Sequence, residues 1–204
     1  AAMVVTMTRV NGIYEKDFSI TMTMVNNDSI VFINSDSFTD ANASALINES
    51  QTVIDANITN AGYDIGHTFS TGGGGLAALN SPCVTGNKAR GITGSTAPVG
   101  DAYDIDFVAH EMGHQFGGPH TFNGDGGTGN CGGGNRSGSN AYEPGGGTTI
   151  MAYAGICTAN ENIQSNSDAY FHRNSILRIW ANVSAGNSTC GAQVATGNGM
   201  PTAN

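Results

Sequence analysis

Apolar residues at the start of the chain are spaced for a helix. Met3, Met7, Val10 and Tyr14 recur three and four apart, so the first fifteen residues predict an amphipathic helix. The period then shortens to two: Phe18, Ile20, Met22 and Met24 alternate with Ser19, Thr21 and Thr23, the pattern of a strand with one buried face. Residues 30–33 predict a second short strand, followed by a polar stretch over 34–44. Leu46, Val53, Ile54 and Ile58 mark a helix over 45–58. Strands are expected at 63–69, at 76–79 after the glycine run 72–75, and at 89–93. Residues 104–116 read as a helix that Asp104 or Asp106 would cap. From 123 to 147 Gly, Asn and Ser dominate and predict irregular loop. A last helix over 175–183 closes the ordered part, and 197–204 read as a tail or the start of a linker.

Composition narrows the class. A chain of 204 residues suits one large domain or two closely packed lobes, and 30 glycines imply a loop-rich protein. The net charge of −9, with only 7 Lys and Arg, leaves no basic footprint for nucleic acid and repels anionic membranes. No run of about eighteen apolar residues predicts a membrane span. No signal peptide is visible, and the chain reads as a mature product. Cys83, Cys131, Cys157 and Cys190 are even in number with no CxxC pair, which favours two disulfides and an oxidising compartment; three pairings are open.

The chemistry concentrates in residues 110–120, HEMGHQFGGPH. On a helix, residues four apart share a face, so His110 and His114 can ligate one metal ion. Glu111 is rotated about 100° from His110 and can reach a water beside the metal without ligating it. Gly117 stands where the helix must stop and the chain turn sharply, which lets His120 return as a third imidazole. Three protein ligands leave one position open, the arrangement of a catalytic zinc rather than a structural one. His67, in a predicted strand, reads as a hydrogen-bonded core histidine, and His172 is left out of the ligand set. Asp101, Asp104, Asp106, Asn123 and Asp125 raise the possibility of calcium, but neither stretch completes an EF-hand loop and capping and solvation are favoured. The glycines at 72–75 lack the Lys and Ser/Thr of a phosphate loop.

HExxHxxGxxH followed by Thr149-Ile150-Met151-Ala152-Tyr153 resembles the metzincin clan of zinc peptidases. Asn11-Gly12-Ile13-Tyr14 and Gly75-Leu76-Ala77 with Cys83 beyond resemble its adamalysin (reprolysin) branch, and a bacterial-type reprolysin-like peptidase is the label that fits. Two positions depart from the branch: Thr121 follows the third histidine where adamalysins usually have Asp, and Tyr153 lies two after the methionine as in astacins and serralysins. The resemblance implies an α+β fold (α/β in the broad sense): a twisted, mostly parallel sheet with helices above the zinc cleft in an upper lobe (1–117), and an irregular lower lobe (118–196) closed by a C-terminal helix. It implies that Met151 forms an apolar floor beneath the metal, and that Gly75, Leu76 and Ala77 form the sheet edge that aligns substrate. Tyr153 would ligate the resting metal or stabilise the intermediate. It further implies Cys83 paired with Cys190, and Cys131 with Cys157. The expected activity is that of a secreted zinc endopeptidase acting on extracellular protein with Glu111 as general base. A catalytically silent binding module that keeps the fold is the competing class, against which the intact Glu111 argues, since mere metal binding does not require it. The branch also opens with a strand that has no match before the helical stripe at Met3. A separate N-terminal peptide of a cleaved precursor is therefore expected to complete the sheet.

Overall fold

The computed structural model describes residues 2–124, 129–132, 134–195 and 197. Its first helix, α1 (Ala2–Phe18), buries Met7, Val10, Ile13, Tyr14 and Phe18 along one stripe. Those side chains meet Tyr103, Val108, Met112, Phe116, Met151, Phe171 and Ile179 in the main core. Tyr14 stands at its centre, with ring centroids 5.3–5.5 Å from Phe18, Phe116 and Phe171. α2 (Ala43–Ile58) starts where Asn42 accepts hydrogen bonds from the N–H groups of Ser44 and Ala45, satisfying donors that a helix leaves free.

Three strands follow: β1 (Thr68–Ser70), β2 (Gly74–Ala77) and β3 (Gly91–Gly94), in the order β1-β3-β2. β3 pairs parallel with β1 and antiparallel with β2, so the sheet is mixed and small. All four residues of β3 are buried, because alternate residues serve opposite faces. Ile92 packs with Leu46 and Ile47 of α2. Thr93, on the other face, hydrogen-bonds His67, which in turn reaches Gln115. The sheet is thus clasped between α2 and α3 (His110–Gln115). This mixed α+β architecture is consistent with the fold that the resemblance implies.

Two expected strands are absent. Ser19–Met24 keeps its alternation, with Ile20 and Met22 half-buried against the main core, but no ladder forms along it. Instead the Asn11 side chain donates to the Met22 carbonyl at 2.8 Å and accepts from its N–H at 2.9 Å. Burial on one face produced the pattern, and a side chain took the hydrogen bonds that a neighbouring strand would take. In residues 30–33, Val31, Phe32 and Ile33 are exposed and the chain turns through a 3₁₀ helix at Asp28–Ile30.

The helix expected over 104–116 is two helices. Tyr103–Ala109 winds as a π-helix and α3 continues from it. Neither Asp104 nor Asp106 caps it. Asp104 is buried within the π-helix, and Asp106 accepts from the Asn166 side chain and the Ser167 N–H. Asp101 pairs with Arg9, and the three aspartates form no metal-holding cluster among the described residues. Asp125 and residues 198–204 lie outside the described residues.

Beyond α3, the described residues between 118 and 172 are turns and irregular chain apart from a 3₁₀ helix at Gly138–Asn140 and a bridge between Phe122 and Glu143. α4 (Arg173–Ala185) closes the fold, and His172 caps it by accepting from the Asn174 N–H at 3.1 Å. Disulfides join Cys83 to Cys190 and Cys131 to Cys157, with Cα atoms 5.7 and 5.1 Å apart.

Candidate metal centre and cleft

His110 and His114 lie one turn apart on α3, as their spacing requires. The helix stops at Phe116. Gly117 adopts φ +104°, and the Gly118 N–H returns to the Gly113 carbonyl at 2.8 Å, a turn that a residue with a side chain would strain. The Phe116 carbonyl left free at this end accepts from Asn182 of α4 at 2.9 Å. The chain then brings His120 back so that its Nε2 lies 3.2 Å from that of His110 and 2.9 Å from that of His114.

Each Nδ1 has a backbone carbonyl partner. His110 donates to Ile150 at 2.6 Å, His114 to Gly118 at 2.7 Å, and His120 to Asn135 at 2.6 Å. With the ring proton committed to Nδ1, every Nε2 turns a lone pair toward the other two. Three lone pairs converging with no proton between them repel one another unless a cation lies among them. Neutral imidazoles on arms of about 2.0–2.1 Å are zinc's preferred nitrogen ligands, so the donor set fits that ion. Among the described residues it is the one cluster of His, Cys, Asp or Glu able to hold a metal. Burial, with the neighbouring imidazoles, holds His110 well below its usual range and pushes His114 down to about 3; burial lowers His120 too. All three stay unprotonated and ready to ligate near neutral pH.

The model of the Metallo-peptidase family M12B Reprolysin-like matches residues 1–121. The chain belongs to that family. The match ends one residue beyond His120 and takes in the whole histidine motif of this reprolysin-like protein. Comparison with curated proteins gives no match.

Around the triad lies a cleft of about 340 Å³, lined by Gly75, Leu76, Ala77 and Leu79 and by Pro119, Asn135, Ser137 and Tyr153. Glu111, His114 and His120 also line it. Burial pushes the Glu111 carboxyl up to about 8, and its Oε2 is buried without a hydrogen-bond partner. β2 passes so close that a Cβ on Gly75 would overlap Glu111, so glycine here lets the strand lie against the carboxyl. The Tyr153 ring sits 4.5 Å from His120 and 4.6 Å from Phe122, centroid to centroid. Burial and the charge of Glu111 push its hydroxyl up to about 12. Met151 is fully buried beneath the helix, where a Cβ on Gly113 would overlap its sulfur.

His67 is no ligand. Gln115 gives its amide N–H to the Gly66 carbonyl, so its oxygen receives the His67 Nδ1 proton, and Nε2 accepts from Thr93. His172 serves α4 and stacks on Tyr142. Sequence reasoning missed Glu143. Its buried carboxylate accepts from the hydroxyls of Thr121 and Thr149 and from the N–H groups of Thr148 and Thr149. Burial alone would raise this group, but the four donors outweigh it and hold the carboxyl below the usual range. One signal was available: between positions 126 and 160 it is the only acidic residue in an otherwise Gly-, Asn- and Ser-rich stretch.

Proposed function

We propose that this reprolysin-like chain is a secreted zinc endopeptidase acting on extracellular protein, with His110, His114 and His120 as zinc ligands and Glu111 as general base. One observation carries the reading: three imidazole lone pairs converge beside Glu111, whose Oε2 is buried with no hydrogen-bond partner, in a cleft lined by residues of a strand. Two disulfides and the lack of a helix long and apolar enough to cross a membrane, among the described residues, accord with secretion.

When bound, zinc supplies Lewis acidity that acidifies a water and polarises the scissile carbonyl. Glu111 takes the proton of the attacking water on a carboxylate oxygen and passes it to the leaving amine. Burial raises the carboxyl toward neutral pH, where one group can both take a proton from the water and return it to the amine. The substrate lies extended along β2, whose second edge has no strand partner among the described residues. Main-chain hydrogen bonds to Gly75–Ala77 hold it with little regard to most side chains. Tyr153, kept protonated, donates its hydroxyl to the developing oxyanion. Met151 supplies the floor and Gly117 the turn.

The same reading extends to the sheet. Phe69 on β1 packs against the same core as Ile20 and Met22, and β1 has no strand partner on its outer edge among the described residues. A peptide of the same precursor, added as a strand there, would pair with the outer edge of β1. Intact-mass analysis of the purified protein tests it; a folded, single-species product with a continuous sheet refutes it.

Casein hydrolysis with and without chelator tests the main proposal. Glu111→Gln should keep zinc and lower turnover by about 10²–10⁴-fold. Tyr153→Phe should lower kcat by about 10²-fold with little change in KM, because the contact forms in the transition state. Activity that survives chelation, or full turnover in Glu111→Gln, would sink the assignment.

A further inference from the structure

Two stretches of irregular chain must stay in register for the histidine triad to form. One carries His120, followed at once by Thr121. The other is the methionine turn, whose Ile150 carbonyl orients His110 and whose Met151 underlies the helix. Neither belongs to a helix or a sheet, so no repeating ladder fixes their separation. They are tied directly by one backbone bond, from the Thr121 N–H to the Met151 carbonyl at 3.0 Å.

Glu143 bridges the same gap from below. Its Oε2 accepts from the hydroxyl of Thr121, on the first stretch, and from that of Thr149 at 2.6 Å, on the second. Its Oε1 accepts from the N–H groups of Thr148 and Thr149 at 2.9 and 3.0 Å. Its own N–H reaches the Thr121 carbonyl at 2.9 Å. Thr121 is fully buried, and Glu143 and Thr149 nearly so. No cation pairs with the carboxylate among the described residues; four neutral donors satisfy it in full. A chain of two side chains could join these stretches with one hydrogen bond. A carboxylate that takes two bonds from the turn's backbone and one hydroxyl from each side fixes both distance and orientation.

We propose that Glu143 is a positioning residue for the metal centre: through Thr121 it holds His120, and through Thr148 and Thr149 it holds the turn whose Ile150 carbonyl aims His110. The inference rests on the zinc ligation proposed above. It distinguishes Gln from Leu at this position. A Gln amide oxygen still accepts from the two N–H groups, and its amide donates to two threonine hydroxyls that rotate to accept, so the bridge survives without its charge. Leu breaks every link.

The test uses zinc alone, titrated into the metal-depleted protein against a competing chelator, together with the absorption spectrum of the cobalt-substituted protein. Glu143→Leu should raise the zinc dissociation constant by about 10–100-fold, the range for residues that orient metal ligands. It should also shift the cobalt bands. Glu143→Gln should restore both most of the way. Since Glu143→Leu removes a buried network, Thr121→Val serves as the second variant: it keeps side-chain shape, deletes only the hydroxyl, and should weaken zinc by several-fold with far-ultraviolet dichroism unchanged. Wild-type affinity and cobalt bands in folded Thr121→Val and Glu143→Leu would overturn the inference. So would a Glu143→Gln variant no better than Glu143→Leu. If instead the wild type binds zinc no more tightly than His120→Ala, it is the zinc ligation itself that fails.

Discussion

The helical half of the molecule and the segment from 118 to 172 support the same three imidazoles by different means. In the first, α1, α2 and α3 bury periodic apolar stripes, and the backbone satisfies itself through helices and a short sheet. In the second, regular structure is nearly absent among the described residues, and order comes from side chains that bond backbone: Glu143 to Thr148 and Thr149, Asn162 to Cys157, Arg136 to Asn123. Yet the carbonyls that orient His110 and His120, those of Ile150 and Asn135, belong to this second region. The comparison teaches that a ligand's aim is set by whatever satisfies its second nitrogen, whether or not that partner lies in a regular element.

The sharpest way to break the contrast is to cut the covalent tie inside the irregular region. Cys131 and Cys157 are 26 residues apart, and releasing a loop of that length costs roughly 3–4 kcal/mol of stability by the chain-entropy account. Cys131→Ser with Cys157→Ser should lower the denaturant midpoint accordingly and speed amide exchange between 129 and 157. A loss under about 1 kcal/mol would mean the polar network suffices alone.

A second measurement asks whether the helical half also leans on a polar brace. Burial pushes His67 down to about 4 against about 6.5 in the unfolded chain. Above pH 6.5 the imidazole is neutral in both states and its contribution is fully present. As pH falls from 6.5 toward 4 the unfolded state binds a proton that the folded state refuses, so stability drops, by about 3 kcal/mol in all. Denaturation midpoints across that window should show this slope, and His67→Gln should lose it. An unchanged slope in the variant would assign the acid sensitivity elsewhere.

The smallest effect has the opposite sign. Gly12 lies inside α1, and a Cβ added there meets nothing within 4 Å. Gly12→Ala should stabilise the protein by about 0.5–1 kcal/mol in thermal unfolding. Destabilisation would show that this face of α1 touches something in solution.

Much of the helical half was legible because burial there writes a period into the sequence. Met7, Val10 and Tyr14 announced α1, and α2 came within two residues at its start and was met at its end. Alternation at Phe18–Met24 was legible too, but it reports which face is buried, not whether a strand pairs alongside. The π-helix before His110 leaves no periodic trace over seven residues. In the candidate site, the histidine spacing carried its own geometry. Glu143 could not be recognised in advance, since its role depends on Thr121 and Thr149 arriving from positions 22 residues before and 6 after it.

The bond between Cys83 and Cys190 closes a covalent circle of chain that contains the histidine motif, the methionine turn and α4. Under the peptidase function proposed above, the most concentrated neighbour of each molecule is often another copy of itself, and such a circle changes what damage means. One cut anywhere along it yields two new termini but still one molecule, and the severed ends stay within reach of their old positions. Only reduction or a second cut releases a fragment. Gel mobility of nicked protein would therefore report intact mass without reducing agent and two pieces with it.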